Sequence, residues 1–301
     1  MRDTFVQTLL LRAKADPNIL LITGDLGFGV LDKFQAELPN QFFNSGVNEQ
    51  AMMGLAAGYA STGKRVFVYS IGNFPTLRPL EQIRNDVCLM NNPVVIVSVG
   101  AGYAYGSQGY THHALEDIAM LRALPNMEVI VPADAQETMQ LTNLIVDSKK
   151  PTYFRLGKSG EPKIHSSSLS VEFGKINEVL AGEAGTIVFA GSVGIVALEA
   201  AEVLRAKGIE VAVASMPYIS TIDIGYLRAA SKKGPIVVLE EHSYRGGVGS
   251  AVLEAMNAAD ISAKIKLVAA SQINLSQIGD QNFLRNINGI NIENIISGFL
   301  S

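Results

Sequence analysis

Runs of consecutive apolar residues, rich in valine and isoleucine, recur along this chain at 19–23, 66–69, 94–99, 129–131 and 152–156. Between them the apolar positions return every three or four residues. Continuous runs suit strands covered on both faces, and the three-to-four spacing suits amphipathic helices, so the pattern predicts a parallel sheet wrapped by helices. A polar, glycine- and serine-rich stretch from Gly157 to Ser168 breaks the rhythm. Strand runs then resume at 186–190, 211–214, 236–239 and 265–269, separated by helices such as 192–206. The expected fold class is therefore α/β in two domains, residues 1–160 and a smaller 175–301, joined by a linker at 161–174. No short-period repeat, heptad or low-complexity tract is visible.

Composition narrows the class. Of the 301 residues, 48% are apolar and 17% charged, as in a soluble globular protein with a large buried core. A net charge of -4 argues against a nucleic-acid footprint. No apolar run reaches the roughly 18 to 20 residues that span a bilayer. The start, Met1-Arg2-Asp3-Thr4, carries an acid and leads into an amphipathic segment, unlike a secretory signal. The single cysteine, Cys88, excludes an internal disulfide framework and a cysteine-based zinc site, and it suits a reducing cytosol. A cytoplasmic protein without nucleic-acid or membrane partners is expected, with Cys88 a buried thiol rather than a nucleophile.

Chemistry concentrates in a few places. Glu49 opens an apolar helical segment and shares its face with Met52, Met53 and Ala56, three, four and seven residues further on. A carboxylate on that core-facing side must find a partner or take up a proton, which would raise its pKa and suit it to proton transfer. The plain alternative is an acid favoured by the helix dipole. A second concentration, Gly100 to His113, follows the 94–99 run directly and holds two of the four histidines, His112 and His113. Loops at the carboxyl ends of parallel strands are where open α/β sheets bind ligands, and imidazoles there can bond substrate hydroxyls or relay protons. The alternative is a glycine-rich turn whose histidines cap a helix over 113–124. His165 and His242 are isolated, and no histidine, cysteine or carboxylate set has metal-ligand spacing, so no metal site is expected within the chain.

Gly24, Gly27 and Gly29 do not fall at the G-x-G-x-x-G spacing of a dinucleotide fingerprint. Asp25 among them is either a site residue or an Asx-turn carboxylate. Arg155 and Arg2 could each hold a phosphate through charge-assisted bonds, although a surface ion pair is the simpler reading of either alone. Phe74 could stack on a planar ligand or belong to the core.

Taken in order, these elements resemble the C-terminal half of transketolase: the pyrimidine-binding domain and C-terminal domain of thiamine diphosphate enzymes. The resemblance spans essentially the whole chain and rests on Gly46-Val47-Asn48-Glu49, on Thr111-His112-His113 with Leu124-Pro125-Asn126-Met127, and on Glu240-Glu241-His242-Ser243 followed by Gly246-Gly247-Val248-Gly249-Ser250-Ala251. It implies that Glu49 is the glutamate that bonds the cofactor's aminopyrimidine and drives its proton relay. It further implies that Phe74 stacks on that ring, that Asp25 contacts the cofactor, and that His112, with His113 beside it, meets donor hydroxyls. Arg155 and Arg2 match positions that hold a sugar phosphate.

Two departures bear on the substrate. Gln108 stands where many transketolases carry an aspartate that reads an acceptor hydroxyl, and Gly100 stands where a phosphate-holding histidine is usual. The resemblance also implies a partner. The Gly-Asp-Gly followed by asparagine that holds diphosphate and Mg²⁺ is absent from the sequence, so an N-terminal transketolase subunit is expected to supply that site, giving a heterotetramer (α2β2). The activity implied is transfer of a two-carbon ketol unit between sugars. Readings that share the domain pair are the beta subunit of a 2-oxoacid dehydrogenase decarboxylase and a 1-deoxyxylulose-5-phosphate synthase-like carboligase. A regulatory or scaffold remnant of the fold is the non-enzymatic one.

Overall fold

A computed structural model describes residues 1–271 and 273–300. Six strands form the first sheet: β1 (Ile19–Thr23), β2 (Phe42–Asn44), β3 (Arg65–Ile71), β4 (Val94–Val99), β5 (Glu128–Ile130) and β6 (Thr152–Leu156). They lie in the order β2-β1-β3-β4-β6-β5, and every neighbouring pair is parallel. All residues of β1, β4, β5 and β6 are buried, which is why their runs are mostly apolar and do not alternate, Arg155 and Glu128 being buried exceptions. Helices such as Arg2–Ala15 and Glu49–Ser61 cover the sheet. The second sheet comprises β7 (Asn177–Leu180), β8 (Thr186–Ala190), β9 (Ala212–Ser215), β10 (Ile236–Ser243) and β11 (Ile265–Ala270), in the order β11-β10-β8-β9-β7. It is parallel except for the edge pair β7 and β9. Among the described residues no helix is long and apolar enough to cross a membrane.

Two strands and several boundaries depart from the pattern. The strands β2 and β7 have three and four residues and sit at sheet edges, where incomplete burial leaves no apolar run to see. The helix expected over 113–124 is only Asp117–Arg122. His113 is extended (φ -76, ψ 131), and Ala114 instead bridges to Gly102. The apolar run at 236–239 continues as strand through Glu240, Glu241, His242 and Ser243, all buried.

Those four residues are buried because each meets the rest of the molecule. Glu240 accepts from the amides of Val248 (2.7 Å) and Gly249 (2.9 Å), holding the start of the helix Val248–Ala258. Glu241 accepts from the amide of Tyr103 (2.6 Å), from Nε2 of Gln281 (3.0 Å) and from Nε of Arg285 (2.8 Å). Gly102 makes room for this contact, since a Cβ there would lie 2.5 Å from Glu241 Cγ. The Ser243 amide donates to Leu115 O at 2.8 Å. Arg155 completes the junction from β6. Its Nε donates to Asp117 (2.6 Å), and its Nη2 donates to the carbonyls of Ala114 (2.6 Å) and Glu241 (3.0 Å). Burial opposes the charge on Asp117, but Arg155, His242 and the Tyr153 hydroxyl outweigh it and hold the carboxyl below its usual range.

Residues 157–176 contain no helix or strand, yet their path is pinned. Asp134 accepts from the amides of Ile164 (2.8 Å) and His165 (2.6 Å), and the His165 ring lies 3.3 Å from the same carboxylate. Glu137, buried behind it, is 3.7 Å from the ring and is bonded by Asn177 and Ser215. Burial works against a charge on His165, but Asp134 and Glu137 outweigh it and raise its pKa. Asp134, which burial alone would push up, is held at about 2 by His165 and three backbone amides.

Three outcomes are expected. Asp117→Ala leaves the Arg155 guanidinium buried without a counter-charge and should cost about 3–5 kcal/mol of stability in urea unfolding; a cost below about 1 kcal/mol would deny the junction its role. Because His165 has a raised pKa in the folded state, its contribution is complete below the ordinary histidine value and disappears as pH rises through the folded one. As pH rises above the ordinary histidine value, the urea midpoint should therefore fall by more in the wild type than in His165→Gln. Asp134 adds stability that is complete above the ordinary carboxylate value and is lost as pH falls from there through about 2.

Candidate active site

Since all six strands of the first sheet are parallel, their carboxyl ends share one edge, the usual ligand edge of such sheets. Asp25 follows β1, Glu49 follows β2, Phe74 follows β3, and the loop 100–116 carrying both histidines follows β4.

Glu49 is the first residue of the helix Glu49–Ser61, whose cap is Asn48, with Oδ1 accepting from the Ala51 amide at 3.0 Å. Met52, Met53 and Ala56 are fully buried, so the face read from the sequence does point into the core. Glu49 itself is 5% exposed. The partner it finds is Arg78, whose Nη1 donates to both carboxylate oxygens at 2.8 and 2.9 Å. The Arg78 guanidinium carbon also lies over the Phe74 ring, 4.4 Å from its centre. The edge of Phe74 meets the His112 ring at 5.3 Å and 69°. Glu49, Arg78, Phe74 and His112 thus form one contiguous cluster, and all but Arg78 stand out in the sequence.

His112 is half-buried, with Nδ1 3.0 Å from Thr111 Oγ1. Its loop is tied to the Phe74 segment, because Asn73 Nδ2 donates to the His113 carbonyl. The adjacent Gly72 has φ +44, and a Cβ there would stand 3.3 Å from the His112 carbonyl. Asp25, also in left-handed backbone (φ 57), exchanges two hydrogen bonds with Asn44: its amide donates at 2.9 Å and its carboxylate accepts at 3.0 Å. Asn44 Oδ1 accepts from Gly46 as well (3.0 Å), so the turn holding Asp25 and the approach to Glu49 are one unit.

Three expected binding residues are placed otherwise. Arg155, expected to hold phosphate, is 2% exposed and committed to Asp117 and two carbonyls; it braces the histidine loop and presents no face to a ligand. His113 is 1% exposed, with Nε2 3.5 Å from Gly106 O and its ring edge-on to Tyr103 at 5.1 Å. Burial pushes its pKa down, and it serves as the core of the loop. Arg2 pairs with Asp3 at 2.8 Å and lies beside Tyr105. Gln108 is exposed on the loop. Gly100 has a steric reason of its own: with φ +98, a Cβ would fall 2.2 Å from the Tyr105 ring, so no side chain fits.

The sequence signal for Arg78 was its position four residues after Phe74, which returns it to the same side of the turn. Asn44 had none, since a three-residue edge strand hides it. Among the described residues no group of three or more histidines, cysteines or carboxylates is placed to hold a metal ion.

Residues 1–162 match the family model described as "Transketolase, pyrimidine binding domain", and residues 174–295 match "Transketolase, C-terminal domain". The chain is 40% identical over 268 residues to one subunit of the apulose-4-phosphate transketolase of Phocaeicola vulgatus, covering 88% of this chain and 86% of that one. It is 35% identical over 276 residues to a putative transketolase C-terminal section from Methanocaldococcus jannaschii, covering 91% and 87%. A solved structure described as "Split gene transketolase, inactive beta4 tetramer" superposes with a TM-score of 0.88 at 32% identity, over 99% of this chain and 96% of that one. With both domain models matched in order around a buried glutamate at the carboxyl edge of a parallel sheet, the chain belongs to the transketolase family.

Proposed function

We propose that this chain is the C-terminal subunit of a split transketolase, which moves a two-carbon ketol unit from a ketose to an aldehyde with thiamine diphosphate. The observation that carries the reading is the Glu49 carboxylate, 5% exposed at the sheet's carboxyl edge and linked through Arg78 to the Phe74 face. The site fits the cofactor's ring in a direct sense. A flat, nitrogen-bearing group, the Arg78 guanidinium, already rests on Phe74 while donating to Glu49. When bound, thiamine diphosphate supplies a nucleophilic thiazolium carbon and an electron sink.

In this reading Glu49 hydrogen-bonds the aminopyrimidine and moves a proton at its ring nitrogen, from a pocket that excludes competing water. Phe74 sets the plane of that ring, and Asp25, fixed by Asn44, contacts the cofactor from the neighbouring turn. His112, beside Phe74, donates to hydroxyls of the sugar. The substrate is a sugar phosphate, in keeping with the name of the P. vulgatus relative. Its phosphate is held by groups other than the buried Arg155. A partner subunit brings the diphosphate and Mg²⁺ ligands, in an assembly of two copies of each chain; the split-gene neighbour supports the division.

Glu49→Gln keeps the shape and removes the proton-transfer group. In the two-chain complex it should lower ketol transfer by about 10²–10⁴-fold, with assembly unchanged by native mass spectrometry. Transfer within a few fold of wild type would remove Glu49 from the mechanism.

A further inference from the structure

Arg78 has no part in the function proposed above, yet it occupies the middle of the site. Its Nη1 bonds both oxygens of Glu49, and its guanidinium carbon lies over the Phe74 ring, 4.4 Å from the centre. A guanidinium is flat, delocalised and fringed with N–H donors, so it satisfies a carboxylate and an aromatic face together. A flat nitrogen heterocycle with an exocyclic amine makes the same two contacts. The Glu49 and Phe74 pair is therefore a subsite for one flat N–H-bearing group at a time.

We propose that Arg78 is the resident occupant of the planar-ring subsite, an internal competitor that the cofactor's aminopyrimidine must displace. This rests on the thiamine diphosphate reading of the same site. Two features suit Arg78 to the task. Within the chain it compensates a buried carboxylate that would otherwise lack a counter-group. It is also free to leave. The side chain is 51% exposed, and it stands just past the four-residue helix Phe74–Leu77, so on release it moves into water rather than through the core.

A competitor that is out of the site only part of the time weakens apparent affinity by that fraction. Removing it must then tighten cofactor binding, the reverse of what loss of a binding residue does. The test is calorimetric titration of thiamine diphosphate at saturating Mg²⁺ into the complex of this chain with its partner, for wild type, Arg78→Ala and Arg78→Met. Arg78→Met retains the apolar stem and guards against a packing defect in Arg78→Ala. Both variants are expected to bind about 5- to 50-fold more tightly than wild type. Arg78→Lys, which keeps the charge without the flat fork, should fall between them and the wild type. Affinity in Arg78→Met equal to or weaker than wild type overturns the proposal while leaving the cofactor reading in place. Failure of the wild-type complex to bind thiamine diphosphate at all overturns both.

Discussion

A carboxylate at the start of a core-facing helix is the constraint around which this site is arranged. Withdrawing Glu49 from water is costly unless a cation or donor meets it. With Met52, Met53 and Ala56 on the same helical face, the side chain is left only 5% exposed. Its position at the carboxyl edge is set by the short strand β2 and the Asn44 contacts that lead to Gly46. The group that satisfies Glu49 in this structure also lies over Phe74. The chain's own Arg78 does so, and the same geometry suits an aminopyrimidine.

The second sheet contributes no residue to that cluster, but it holds the loop that does. Glu241 grips the amide of Tyr103 at one end of the loop, and Ser243 bonds Leu115 at the other. Arg155 joins both domains through Asp117 and the Glu241 carbonyl. His112 is thereby carried on a segment fixed at each end by buried hydrogen bonds. Rigid support of this kind lets a catalytic group be preorganised before the substrate arrives.

Much of this was legible in the sequence, for physical reasons. Strands buried on both faces leave largely apolar runs without alternation, so β1, β4, β6 and β8 appear at their true bounds. Glu49 was conspicuous because its charge conflicts with its apolar neighbours. The edge strands β2 and β7 were hidden, since they are too short and too little buried to print a pattern. Charge alone could not distinguish a phosphate-binding arginine from Arg155, whose partners Asp117 and Glu241 lie 38 and 86 residues away in the chain. Adjacent histidines read as a pair, yet His112 closes a short turn and meets Phe74, while the extended His113 packs into the loop's core. The role of Arg78 depends on two contacts that exist only after folding.

In the proposed enzyme this chain carries half of a site. It reads the ring end of a cofactor, and the diphosphate end is left to the partner subunit. The most direct measurement is equilibrium dialysis of thiamine diphosphate with Mg²⁺ against the purified chain, alone and after addition of that partner. Negligible retention by the chain alone is predicted, with one cofactor per pair of chains once the partner is present. Stoichiometric, tight retention by this chain alone would contradict that division of the site.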